Sequence, residues 1–154
     1  MGRVYAVASA KGGVGKTTTT ANLGVALAST NASVVVVDAD LGLPNLGGAL
    51  GVEADPTVHD ALAGRADADA AVHEGVGGVD VAVGSRDIDD FRGADPAGLA
   101  DLVEDLADGY DYVLVDGGAG LTHDSLVPLS IADGVVLVTG TGRDAQRDTA
   151  KTRE

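Results

Sequence analysis

The chain has 154 residues, 24 acidic against 10 basic, for a formal net charge of −14, and it contains no cysteine. That length suits one domain with a sizeable core, and the missing thiols exclude disulfides, thiolate metal sites and cysteine-held iron–sulfur clusters. No run approaches a membrane span and no charged-then-apolar leader precedes the first strand, so a cytoplasmic location is expected.

In chain order, an apolar strand over residues 3–9 leads into Ala10-Lys11-Gly12-Gly13-Val14-Gly15-Lys16-Thr17. Glycines at 12, 13 and 15 free successive backbone N–H groups to turn around an anion. Lys16 then supplies a point charge for the outer phosphates, and the Thr17 hydroxyl is suited to Mg²⁺. The strict phosphate-loop pattern has Gly where Ala10 stands. Lys11 is a second lysine, too early in the loop to cradle the same phosphates as Lys16. A helix is predicted over residues 17–29, its positive dipole end at the phosphates. Its Thr17-Thr18-Thr19-Thr20 opening is a poor intrinsic start, which tertiary packing must offset.

A second apolar strand over residues 33–38 delivers Asp38, with Asp40 just beyond. Thr57 is placed to cap a short helix ending at Gly64, and the acidic stretch 65–71 reads as a solvated helix face. A strand is expected at 79–83, alternating where the others are continuously apolar. The clearest helix runs over 96–107: Asp95 caps it, Pro96 takes its first turn, Leu99, Leu102, Val103 and Leu106 form one stripe, and Gly109 stops it. Strands follow at 112–116 and 134–139. Asp116 ends the former at the carboxyl edge, where folds of this kind bind ligands, and is the expected acid for Mg²⁺, held through a water. This alternation predicts an α/β fold, a mostly parallel sheet of about five strands flanked by helices. His59, His73 and His123 are scattered without metal-ligand spacing, two of them in acidic segments expected to be exposed. Only His123, just past the 112–120 segment, merits a functional test.

Three motifs in order carry a family resemblance. Lys11 to Thr17 resembles the deviant Walker A motif of the ParA/MinD ATPases. Val34 to Leu46 resembles the second strand and switch I of the MinD-like branch, and Tyr112 to Gly120 is similar to its Walker B strand and switch II. Thr57 to Gly64 and Gly77 to Val81 also fit that branch. The resemblance implies a P-loop fold with ATP and Mg²⁺ as cofactors. It implies that Gly12, Gly13, Val14, Gly15, Lys16, Thr17 and Thr18 hold the nucleotide and that Lys11 reaches across a dimer to the partner's phosphates. It further implies that Asp40 directs the attacking water, that Asp38 joins Thr17 and Asp116 around the metal, and that the Gly120 N–H meets the γ-phosphate. Asn45 matches a family position near the dimer interface, although an Asn after Pro is equally ordinary turn chemistry. Where the family often has a proline, Gly117-Gly118 loosens switch II.

The implied function is an ATP-hydrolysing, ATP-dependent homodimer that switches spatial positioning or partitioning and answers to a protein activator or cargo. The alternative is a non-catalytic, truncated paralogue that binds a full-length relative. Residues 1–154 are expected to form one domain lacking the C-terminal part of the family fold. The polar residues 141–154 cannot supply the wide apolar face of an amphipathic membrane helix. With no basic patch either, neither membrane nor nucleic acid is an expected partner.

Charge is the remaining signal. Twenty of the acids are Asp, and the three lysines are Lys11, Lys16 and Lys151. Because the acids are dispersed, the favoured reading is a salt-adapted surface of the halophilic kind; the other is an acidic partner-binding face. Screening lengths of ~10 Å at 0.1 M salt and ~3 Å at 1 M predict a thermal midpoint that rises markedly between about 0.1 and 3 M KCl. An unchanged midpoint in calorimetry would refute the salt-adapted reading.

Overall fold

Residues 1–120 and 122–153 are described by a computed structural model, apart from the side chains at positions 123, 124, 144, 145, 149 and 152. The strands are β1 (Arg3–Ala8), β2 (Val34–Ala39), β3 (His73–Glu74), β4 (Val79–Ala82), β5 (Tyr112–Gly117) and β6 (Gly134–Leu137). The α-helices are α1 (Lys16–Ala28), α2 (Leu46–Leu50), α3 (Val58–Leu62), α4 (Ile88–Gly93), α5 (Leu99–Gly109), α6 (His123–Ile131) and α7 (Arg143–Arg153). The strands form one six-stranded sheet in the order β3-β4-β2-β5-β1-β6. Every pairing is parallel except β3 with β4.

β2 explains the architecture. Alternate residues of a strand face opposite sides of a sheet, and here both sides are covered, so Val34 to Val37 are all buried. Val35 and Val37 join Val113 and Val115 beneath α3 and α5, where Leu99, Leu102, Val103 and Leu106 supply the predicted stripe. Val34, Val36 and Leu114 pack on the other face with Ala21 of α1 and with Leu46 and Leu50 of α2.

The threonine-rich start of α1 is stabilised by tertiary packing. Lys16, Thr20 and Gly24 are buried one helical turn apart, a narrow row of sites that brings the helix close to the sheet. A β-carbon on Gly24 would sit 2.9 Å from Val36 Cγ2.

Several expectations are corrected. The five expected strands are present, but β3 is a sixth: two residues, His73 and Glu74, folded back antiparallel on β4 through the glycine turn at 75–78. So short a strand has no apolar period of its own. Residues 65–71 are not a helix face; only a 3₁₀ turn forms at Asp69–Ala71, with Ala71 fully buried. The helix expected from 96 begins instead as a 3₁₀ turn, Pro96–Gly98. Asp95 caps that turn by accepting the Ala97 N–H at 3.0 Å, and α5 follows. Thr57 does cap α3, in a reciprocal box with Asp60.

The amino edge of the sheet is pinned by side chains. Ser33 N–H donates to Asp111 Oδ2 at 2.8 Å, and Asp111 N–H lies 2.9 Å from Ser33 Oγ. Asp133 accepts the Val4 N–H at 2.8 Å. No helix among the described residues is long and apolar enough to cross a membrane.

Gly24→Ala tests the close packing of α1. Helix propensity alone favours Ala by about 1 kcal/mol, whereas overpacking against a buried valine costs about 1–3 kcal/mol. We expect a net loss of up to about 2 kcal/mol in urea unfolding; a gain would show that the helix is free to withdraw.

Candidate active site

Asp116 lies near the end of β5, in register with Asp38 on β2 and Val7 on β1. Both carboxylates are buried, Asp116 completely and Asp38 at 1 % exposure. Burial of an ion requires pairing and hydrogen bonds, and Asp116 has both. Lys16 Nζ is 2.7 Å from its Oδ1, and Thr17 Oγ1 is 2.7 Å from its Oδ2. Thr20 Oγ1 approaches Oδ1 at 3.2 Å while also 2.9 Å from the Lys16 carbonyl. Thr17 Oγ1 is in addition 2.8 Å from Asn45 Oδ1; a hydroxyl has one proton, so it donates to one of these acceptors at a time.

The loop before α1 has the expected form. Gly13 and Gly15 take φ of 74° and 92°, and a β-carbon at either would meet nothing within 4 Å. Their glycines are therefore required by backbone conformation. Gly12 is exposed like these two, Val14 is half-buried, and Thr18 is exposed, its carbonyl accepting from Asn22 Nδ2. Lys16 follows at the first turn of a 13-residue helix whose free N–H groups face the loop.

Two carboxylates organise the loop after β2. Asp38 accepts the Asp40 N–H on Oδ1 at 3.2 Å and the Leu46 N–H on Oδ2 at 3.0 Å, bracing both ends of the loop. Asp40 Oδ1 accepts the Leu43 N–H at 3.2 Å, and a side chain at Gly118 would lie 3.6 Å from it. The loops after β2 and β5 thus meet at Asp40. Burial pushes the Asp38 carboxyl up to about 7; its two backbone hydrogen bonds oppose that, and nearby Asp116 adds to it.

Lys16, Thr17, Asp38 and Asp116 come together, with Asp40 on the adjoining loop. Asn45 is exposed. It starts α2 without capping it, and its side chain reaches Thr17. Lys11 stands apart: its ammonium pairs with Asp148 of α7 at 2.9 Å, with the Lys11 side chain 52 % exposed. The Gly120 N–H donates to the Ser9 carbonyl at 3.0 Å, and Gly120 itself takes a left-handed φ of 86°.

His59 is also corrected. It is fully buried, with Nε2 2.9 Å from the Leu41 carbonyl and Nδ1 accepting the Ser85 N–H at 2.9 Å. It is a strut between two loops. His73 is half-buried against the Pro56 carbonyl, and the side chain of His123 lies outside the described residues. The sequence reading missed Thr20, Ser9 and Asp148. Only Thr20 had a signal: a hydroxyl four residues after Lys16, on the helix face that meets the sheet.

Hard oxygens, one ammonium and a cradle of backbone N–H groups suit a phosphate with Mg²⁺. Among the described residues no three Asp, Glu or His side chains converge to hold a metal alone. Mg²⁺ takes one or two carboxylates and completes its shell with phosphate oxygens and water.

The Asp38 carboxyl makes a pH prediction. Its folded value, about 7, is above its ordinary 3.8, so the folded chain keeps a proton that the unfolded chain loses. Stability should therefore fall as pH rises from about 4 to 7 and level off above, by up to about 4 kcal/mol. Urea unfolding in concentrated salt should show this slope in wild type and a flatter one in Asp38→Asn. Parallel slopes would remove Asp38 as its source.

Comparison with known proteins agrees with this geometry. The CobQ/CobB/MinD/ParA nucleotide binding domain family matches residues 5–147. An ATP-binding protein of Methanocaldococcus jannaschii is 40 % identical over 139 residues, covering 90 % of this chain and 53 % of that protein. The cell division ATPase MinD of Pyrococcus furiosus superposes with a TM-score of 0.94 at 39 % identity, covering 99 % of this chain and 65 % of that structure. The septum site-determining protein MinD of Pyrococcus horikoshii, solved with Mg-ADP, gives 0.94 at 36 %, covering 99 % and 64 %. The chain thus spans between half and two thirds of the length of these relatives. Its fold is that of a ParA/MinD-like P-loop domain, and the chain belongs to the CobQ/CobB/MinD/ParA nucleotide-binding family.

Proposed function

We propose that this chain binds Mg-ATP at the cluster around Asp116 and uses it to dimerise, with slow hydrolysis returning the monomer. The observation that carries this reading is the separation of the two loop lysines. Lys16 is buried on Asp116, while Lys11 faces outward from the same loop. On this reading Lys16 serves its own site and Lys11, once released from Asp148, serves a second one.

Lys16 exchanges its Asp116 carboxylate for phosphate oxygens, leaving Asp116 and Thr17 to hold the cation. Bound Mg²⁺ supplies charge neutralisation across the phosphates. Asp38 keeps the loop that carries Asp40 in place through the two N–H groups it accepts. Asp40 then orients a water for attack, and Gly120 releases Ser9 to offer its N–H to the outer phosphate. Lys11 leaves Asp148 and stabilises charge on the transferring phosphoryl group of the partner, as an arginine finger supplied in trans does. Given the division ATPase among its relatives, the biological output is spatial positioning of a cargo, set by a protein activator.

Three variants test the roles. Lys16→Ala should lose Mg-ATP binding by at least ~100-fold in calorimetric titration. Lys11→Ala should bind ATP within about threefold of wild type, remain monomeric by light scattering and lose hydrolysis by ~100-fold or more. Asp40→Ala should accumulate an ATP-bound dimer. Loss of ATP binding in Lys11→Ala equal to that in Lys16→Ala would end the in-trans role. A wild type that binds ATP but stays monomeric and inert would favour the non-catalytic interaction module.

A further inference from the structure

We propose that His59 is a positioning residue for hydrolysis: its Nε2–H holds the Leu41 carbonyl and so keeps Asp40, the residue before it, aimed at the site. The catalytic purpose rests on the water-directing role proposed above for Asp40; the hold on the loop does not.

The partners of the ring fix its protonation form. Nε2 lies 2.9 Å from the Leu41 carbonyl, which can only accept, and Nδ1 lies 2.9 Å from the Ser85 N–H, which can only donate. His59 is therefore the neutral tautomer with its proton on Nε2. It is fully buried, so solvent cannot stand in for either partner. A ring wanted only for its volume could be apolar. This one brings a donor and an acceptor to two different loops.

The base of the ring is firm. Thr57 and Asp60 close a reciprocal box at the start of α3, and the Val58 N–H donates to the Val83 carbonyl at 2.8 Å. Ser85 is held twice, by His59 through its N–H and by Asp90 Oδ2, 2.6 Å from its Oγ. Asp90 in turn accepts from Arg65 Nη2 at 2.9 Å. The ring, Gly84 and Pro44 pack so closely that a β-carbon on Gly84 would lie 3.3 Å from His59 Cε1 and 2.5 Å from Pro44 Cβ. A group that orients another must itself be locked by its surroundings, and His59 is.

Asp40 sits between two holds. Its own N–H bonds Asp38 Oδ1 at 3.2 Å, and the carbonyl one residue on bonds His59 at 2.9 Å. Bonds of this kind cluster near about 2.9–3.0 Å, so the His59 bond is the firmer of the two. The Leu41 side chain is buried, whereas Gly42 and Leu43 beyond it are exposed. Leu41 is therefore where this stretch meets the interior. A buried carbonyl stripped of its donor turns toward another, and a turn at Leu41 carries Asp40 with it. Misplacing an orienting group by about 1 Å can slow a reaction by about 100-fold.

Two variants separate positioning from bulk support. Gln can place an amide N–H near the Nε2 position, and Asn an amide oxygen near the Nδ1 position. His59→Gln thus keeps the donor to Leu41, and His59→Asn keeps the acceptor for Ser85. Each loses one bond, so urea unfolding should find both less stable than wild type by similar amounts. Single-turnover hydrolysis should be slower by about tenfold or more in His59→Asn, with calorimetric ATP affinity within about threefold of wild type. His59→Gln should restore the rate to within about threefold. Hydrogen exchange read by mass spectrometry on the nucleotide-free chain should be faster by about tenfold or more over residues 40–46 in His59→Asn alone. On the wild type, ¹⁵N NMR should find Nε2 protonated and Nδ1 bare; the other tautomer would overturn the proposal whatever the variants do. Equal hydrolysis or equal loop exchange in the two variants would also overturn it. So would His59→Asn failing to fold where His59→Gln folds, since the bond would then be a condition of folding. If wild type hydrolyses no ATP while exchange still separates the variants, the function proposed above fails and the hold on the loop stands. If it hydrolyses ATP and the variants are indistinguishable, the reverse holds.

Discussion

Asp116 is fully buried in the middle of the sheet, and a buried carboxylate is tolerated only when a cation and hydrogen-bond donors face it. Lys16, Thr17 and Thr20 all come from the first turns of α1 to meet that need. The phosphate loop is thereby tied to the far strand before any ligand arrives. The same tie sets where α1 starts, how closely it packs on Val36 and which way the glycine loop opens. Removing either partner would leave an uncompensated charge, so the pair has structural as well as chemical weight.

Around this pair the loops at the carboxyl edge are connected rather than independent. Asp38 holds both ends of the loop after β2, His59 grips that loop at Leu41 and the loop after β4 at Ser85, and Asp40 lies beside Gly118 of the loop after β5. The three loops thus meet through identified contacts.

Much of this was legible in the sequence because the signals were local and dense. Continuous valines announced a strand covered on both faces, and glycines with Lys16-Thr17 announced the anion cradle. The stripe from Leu99 to Leu106 announced the best helix. What escaped notice depended on distant pairing. His59 reads as one histidine in an acidic segment, and only tertiary structure supplies its two backbone partners. β3 exists because a glycine turn folds it onto β4. Asp148 gains meaning only where α7 passes Lys11. The bond from the Gly120 N–H to the Ser9 carbonyl likewise joins segments far apart in sequence.

The bonds between Ser33 and Asp111, and between Asp133 and Val4, lie at the opposite end of the strands from the aspartates. They lock the floor of the sheet, where no chemistry is placed. Central amides of β2 and β5 can then exchange with solvent only when the whole domain opens, whereas the loops above them open locally at far lower free energy. Endurance and responsiveness are thus assigned to opposite ends of the same strands, and each can drift in evolution without disturbing the other.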